Sequence, residues 1–256
     1  MFRFNRSVRK PRKDDPPAEA ALLDAMRQTG KQEVLGLGYQ MGALKFMNTL
    51  RKDPKCAFLF ENGSLSPQTC VDTVYRFRSE FAAIPRLWTA LEEGFKACVI
   101  VGGEAHIGRL RMASVGEDVI ITLPSGRVLR YAQARLVDRE GTVTYLDRMG
   151  NEAEFESSGQ GLVYGAGDGI NIYGGKLTEN VVQAVSRDIL VEAILRAEAR
   201  GVLVLAHVHD EVIAMAPEER AQEVYDILME ELIRVPGWLP DVPLAAEGGI
   251  KERYMK

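Results

Sequence analysis

The chain has 256 residues, 46% of them hydrophobic and 27% charged, and a formal net charge of -4. Those proportions exclude a disordered or fibrous architecture, and the length admits one or two domains at roughly 100–200 residues each. The small negative charge excludes a generic polycation, so contact with an anionic partner must come from local patches.

Cys56, Cys70 and Cys98 form no CxxC pair, and an odd count cannot fully pair within one chain, which predicts a reducing, cytoplasmic compartment. No apolar run approaches the roughly 18 residues of a membrane span, so no membrane contact is expected. Residues 1–17 read as a basic flexible arm. They place Arg3, Arg6, Arg9, Lys10, Arg12 and Lys13 together before Asp14, Asp15 and two prolines. A solvated terminus is the simpler account, and an arm that touches nucleic-acid phosphate is the sharper one.

From Ala18 good helix formers dominate, then glycines cluster at Gly36, Gly38 and Gly42, and helix-forming text continues to about Lys96. The next segments, HIGRLRMASV, EDVIITLPSGRVLRY and TVTYLDRMGNEAEFES, alternate β-branched and polar residues around turn signals and predict one small antiparallel sheet. YGAGDGINIYGGK reads as a glycine-rich connection. TENVVQAVSRDILVEAILRAEARG reads as a long helix with Thr178 as N-cap and Gly201 as stop. VLVLAHVHDEVIAMA reads as two strands about a tight turn at Asp210, and a polar-faced helix follows. Helices first, then strands mixed with helices, give an α+β class.

Three constellations carry chemistry. In His207-Val208-His209-Asp210-Glu211, strict alternation puts Leu203, Leu205, His207 and His209 on one face. Two adjacent carboxylates between apolar strands are costly to keep ionised without a hard cation; an acidic surface turn is the plainer account. Arg27, Lys31, Leu35 and Tyr39 recur every four residues, giving a stripe of two cations, an apolar position and a ring. Such a stripe suits a triphosphate with its sugar and base, with Gly36 and Gly38 leaving room for a planar base. It equally describes an amphipathic helix with solvated cations. Lys176, Asn180, Gln183 and Arg187 form a polar, net-basic helical stripe, either a solvated face or a surface gripping a duplex through its backbone and minor groove.

Together, RQTGKQEVLGLGYQMG, LPSGRVLRY, YGGKLTENVVQAVSRD, HVHDEV and PLAAEGGIKERYMK resemble, in order, segments of family A DNA polymerases of the bacteriophage type. The resemblance implies helical fingers over 18–96 and a palm with inserted β-hairpins over 97–256. It implies that Asp210 is a ligand of the catalytic Mg2+, with Glu211 beside it and His209 near the primer terminus. It further implies that Arg27 and Lys31 contact the phosphates of a deoxynucleoside triphosphate, and that Tyr39 packs near its sugar and the templating position. The Lys176–Arg187 stripe would face primer–template DNA. Two positions depart from the pattern: His207 replaces a glutamine, and Leu35 stands where many relatives carry an aromatic residue. The family's motif A, which supplies a second metal-binding aspartate, and its thumb and exonuclease have no counterpart in this sequence. The expectation is therefore a C-terminal polymerase portion completed by an N-terminal polypeptide carrying motif A, docked on an exposed edge of the palm sheet.

Two other classes compete. A metal-dependent hydrolase would use the His207/His209 pair, with only His106 to recruit as a further histidine. A non-catalytic nucleic-acid-binding remnant of a polymerase would keep the basic stripe and gain nothing from Asp210-Glu211.

Overall fold

Proline opens two of the early helices, at the position where its missing N–H costs nothing. In the computed structural model, which describes residues 8–254, α1 (Pro17–Gln32) starts on Pro17 and runs into a π-helical turn (Glu33–Leu37). There follow α2 (Ala43–Lys52), the single turn α3 (Phe58–Glu61), α4 (Pro67–Glu80) and α5 (Ala83–Ile100). Ahead of Pro67, Ser66 Oγ accepts from Thr69 N and Thr69 Oγ1 accepts from Ser66 N, closing a capping box. Phe46, Met47 and Leu50 of α2, Leu59 of α3 and Val74 and Phe77 of α4 form one buried core. Arg3 and Arg6 of the basic segment lie outside the described residues. Arg9 is bidentate to Asp15, which also accepts from Arg12 N. The Arg9 and Arg12 contacts hold the Asp15 carboxyl down at about 2.

The strands that the sequence placed in one sheet form two. β1 (Glu104–Ile107), β2 (Leu110–Val115), β3 (Asp118–Thr122) and β4 (Val128–Tyr131) lie side by side in that order. β5 (Arg135–Leu146), β6 (Glu152–Tyr164) and β7 (Ile170–Ile172) make a second, antiparallel sheet. β7 falls inside the segment expected to be a glycine-rich connection, because Leu162 to Tyr164 supply a paired edge for it. The turn after β5 is the expected MGN signal, with Gly150 at φ 82°.

α6 (Gly174–Ala199) starts four residues before the predicted N-cap. Thr178 therefore lies inside the helix, buried, with its hydroxyl donating to Gly174 O. The stop is as expected: Gly201 takes φ 86°, Val202 N donates to Ala197 O and Gly201 N to Glu198 O. β8 (Leu203–Val208) and β9 (Glu211–Met215) then form a two-stranded hairpin, followed by a 3-10 turn (Glu218–Arg220) and α7 (Ala221–Ile233).

The chain is thus α+β, in two compact units. The first comprises residues up to Ile107 with Met112–Ile120 and Arg130–Glu179. The second comprises Gly108–Arg111, Ile121–Leu129 and the chain from Asn180 on. In the second unit, Arg196 and Arg200 pair at 2.8 Å with Glu231 of α7, which is buried. The Arg200 hydrogen bond, with Arg196 adding to it, holds the Glu231 carboxyl below the ordinary glutamate range although burial works against this. Among the described residues no helix is long and apolar enough to cross a membrane.

Candidate functional site

In the first unit the stripe Arg27, Lys31, Leu35, Tyr39 does not ride on a single regular helix. Arg27 and Lys31 sit on α1, Leu35 on the π turn and Tyr39 in the turn that follows. The inward side of α1 is fixed by Leu23, Ala25, Met26 and Thr29, which leaves Arg27 half-buried and Lys31 exposed. Widening from i→i+4 to i→i+5 bonding rotates whatever comes after the insertion, and such turns gather at functional sites. It leaves Leu35 50% exposed. The space expected above the two glycines is used by the chain itself. A side chain on Gly38 would meet Val34 O at 2.7 Å, and one on Gly36 would meet Met41 Sδ at 2.8 Å.

Beside this turn lies a cavity of about 450 Å3, whose lining includes Leu35, Tyr39, Lys45, Glu92, Tyr173 and Glu179. Burial, followed by the charge of Glu179, raises the Tyr39 hydroxyl above its ordinary value, so it stays protonated. The wall is held by contacts that no short-range motif announces. Gln40, in the left-handed region at φ 70°, accepts from Gly175 N through Oε1 at 2.7 Å. Glu92 of α5 accepts from Gly174 N at 2.8 Å. Side chains from elsewhere in the unit thus satisfy two of the N–H groups that a helix start leaves free. Trp88 Nε1 donates to Gly38 O at 2.9 Å. A Cβ on Gly174 would collide with the Trp88 carbonyl, and one on Gly175 with that of Tyr39. The YGG triplet was the available signal, since paired glycines at a helix start mark close approach of another backbone.

The polar stripe of α6 divides between the units. Lys176 belongs to the first and pairs with Glu179 at 2.9 Å on its own helix, which raises its ammonium above the ordinary value. Asn180, Gln183 and Arg187 belong to the second. One residue on from Arg187, Asp188 accepts from Arg127 Nε and Ser125 Oγ, each at 2.5 Å, while Arg127 Nη2 donates to Ala184 O. The LPSGR and VSRD segments are therefore joined directly.

Also in the second unit, His209 and Asp210 form the two-residue turn between β8 and β9, with His209 at φ 56°. Asx and His tolerate this left-handed region better than branched residues do. The expected alternation fails at Leu205. Val204 pairs with Ala214 and Ala206 with Ile213, so one extra residue is bulged out. His207, opposite Val212, therefore shares a face with Val204 rather than with Leu203. Val204 and Ala214 pack over Ala197, Val202 and Val224. His207, His209, Asp210 and Glu211 are all exposed. Desolvation therefore does not force a cation on the acid pair, contrary to the sequence expectation. Glu211 accepts from the Tyr254 hydroxyl at 3.2 Å, a partner the sequence reading missed.

Adjacent carboxylates suit a hard divalent cation that keeps water and phosphate as its remaining ligands. Among the described residues no group of three or more His, Cys, Asp or Glu could hold a metal, so this donor set is a partial one. Among the described residues no third such side chain gathers with the His207/His209 pair.

The chain is 30% identical over 236 residues to the DNA polymerase of Bacillus phage SP02. This chain is similar to part of a phage DNA polymerase. The match takes in 90% of the chain and 33% of the relative, so the chain spans about a third of that polymerase's length. No family model and no solved structure matches.

Proposed function

We propose that this polymerase relative is the nucleotide- and metal-binding portion of a template-directed DNA polymerase of the family A type, with fingers over 18–96 and a palm over 97–256. The observation that carries the reading is the 236-residue similarity to a phage polymerase. Arg27 and Lys31 offer cations to the triphosphate, and Leu35 and Tyr39 line a cavity of a size suited to its sugar and base. The Tyr39 hydroxyl, kept protonated, is available as a hydrogen-bond donor. Asn180, Gln183 and Arg187, with Lys176, face primer–template DNA, and His207 and His209 lie by the primer end. Asp210, with Glu211, holds Mg2+, which when bound would acidify the primer 3′-hydroxyl and stabilise charge on the α-phosphate.

A two-metal site needs carboxylates from more than one strand. Supporting such a completion, β8–β9 is a two-stranded sheet with exposed Leu203, Leu205 and Met215, and isolated hairpins of this kind are marginal. A further strand bearing an aspartate, from an N-terminal polymerase polypeptide, completes it on this reading. Primer extension with Mg2+ and deoxynucleotides tests the proposal, with the chain alone, with a motif A-bearing polypeptide added, and with Asp210→Ala as control. Extension abolished by the substitution is expected once the carboxylate set is complete. Extension unaffected by Asp210→Ala overturns the assignment. Salt-sensitive primer–template binding with no extension in any combination turns the reading to a non-catalytic binder.

A further inference from the structure

We propose that one face of the β5–β6 ribbon is a stacking platform for single-stranded nucleic acid. Within the first unit the ribbon is fastened at both ends. Leu146 enters the buried core of α2 and α4, and Gly150 lies against the backbone of Pro67 and Gln68. At the other end Leu162 and Val163 are buried, and Tyr164 packs edge-on to Tyr131. Between these anchors both faces are open to solvent.

The register makes the two faces unlike. Asp138, Glu140, Glu154 and Glu156 project to one side, where Thr142 and Thr144 donate to Glu156 and Glu154 at 2.8 and 3.1 Å. The other side carries Arg139, Val143, Tyr145 and Phe155 and no acid. Tyr145 and Phe155 meet edge to face at 5.8 Å and remain 42% and 51% exposed. Further along this face Gly141 and Gly159 have nothing within 4 Å of where a side chain would stand, so the surface running on from the rings is flat.

Exposed rings on a ribbon that needs no more packing to be held call for a partner. Nucleobases stack on aromatic side chains regardless of sequence, and Arg139, further along the same face and lying over Gly161, offers a cation to the backbone phosphates of a strand that runs on from the rings. Sorting every acid to the opposite face removes the repulsion a phosphodiester chain would otherwise meet. The choice of nucleic acid as the occupant rests on the polymerase reading, and the site adds a single-strand contact to it.

The test is fluorescence anisotropy of the full chain with labelled oligo-dT and, separately, with a blunt duplex. Tyr145→Ala combined with Phe155→Ala should weaken oligo-dT binding by about tenfold or more while leaving duplex affinity unchanged. Phe155→Trp keeps a ring at the site, and its added emission should be quenched by oligo-dT. Unchanged oligo-dT affinity in the double variant, or no quenching in the tryptophan variant, overturns the proposal. So does a shift from dimer to monomer in sedimentation caused by the double variant, which would give the face to a second copy of the chain. A chain that extends no primer in any combination but binds oligo-dT through these rings loses the polymerase reading and keeps the platform. Extension without ring-dependent binding does the reverse.

Discussion

The cavity beside Tyr39 and the acidic hairpin at Asp210 are built in opposite ways. The first is a cleft whose wall is held by contacts between residues far apart in sequence: Gln40 to Gly175, Glu92 to Gly174, Trp88 to Gly38. The second projects a two-residue turn into solvent, with its carboxylates exposed and its strands backed on one face only. A site of the first kind is shaped before its ligand arrives, so little ordering is left for binding to supply. A site of the second kind gains its geometry from what binds to it. The rigidity of the second unit lies away from the hairpin, in the Arg196–Glu231–Arg200 brace.

The comparison breaks most visibly if that brace is cut. Glu231→Ala removes the shared partner of two arginines that keep Glu192 and Glu230, and a loss of about 1.5–3 kcal/mol is expected from chemical unfolding followed in the second unit. The same carboxyl, held below its ordinary value by Arg200, supports the fold above the ordinary glutamate range. That support is lost as pH falls through the lower folded value, so the wild type should soften in acid and Glu231→Ala should lose most of that dependence.

Next comes Gly175→Ala. The added methyl meets the Tyr39 carbonyl, and roughly 1–3 kcal/mol of destabilisation should appear in the first unit, with loss of nucleotide binding if the cavity is preformed. A variant that binds deoxynucleotides normally would show that this wall is incidental.

Asp210→Ala should do the contrary, leaving stability within about 0.5 kcal/mol, as for an exposed turn. Mn2+ affinity, read by electron paramagnetic resonance, should fall by more than the roughly 10–100-fold typical of an outer-shell loss. Tyr254→Phe is the smallest change: it removes one donor from Glu211, and a loss of Mn2+ affinity of at most about tenfold is expected.

What the sequence could disclose follows from the range of each signal. The Gly201 stop, the MGN turn after β5 and the turn at Asp210 depend on a handful of neighbouring residues, and pattern alone finds them. The start of α6 does not: its first N–H groups are satisfied by Glu92 and Gln40, so the strong N-cap residue Thr178 is passed over and buried instead. The bulge at Leu205 hides for a different reason, since alternation assumes a ladder with no extra residue. For the proposed site residues the sequence offers types at spacings. Their supports (Gln40, Trp88, Glu92, Tyr254) are not readable there, because each reaches its partner through the fold.

The tie between Gln40 and α6 also provides a clock. Because Gly175 N–H is covered only while the turn after Tyr39 is seated, its exchange with deuterium times how often that turn lifts. Occupancy of the neighbouring cavity would slow that exchange, and a single amide signal would register it without any chemistry taking place.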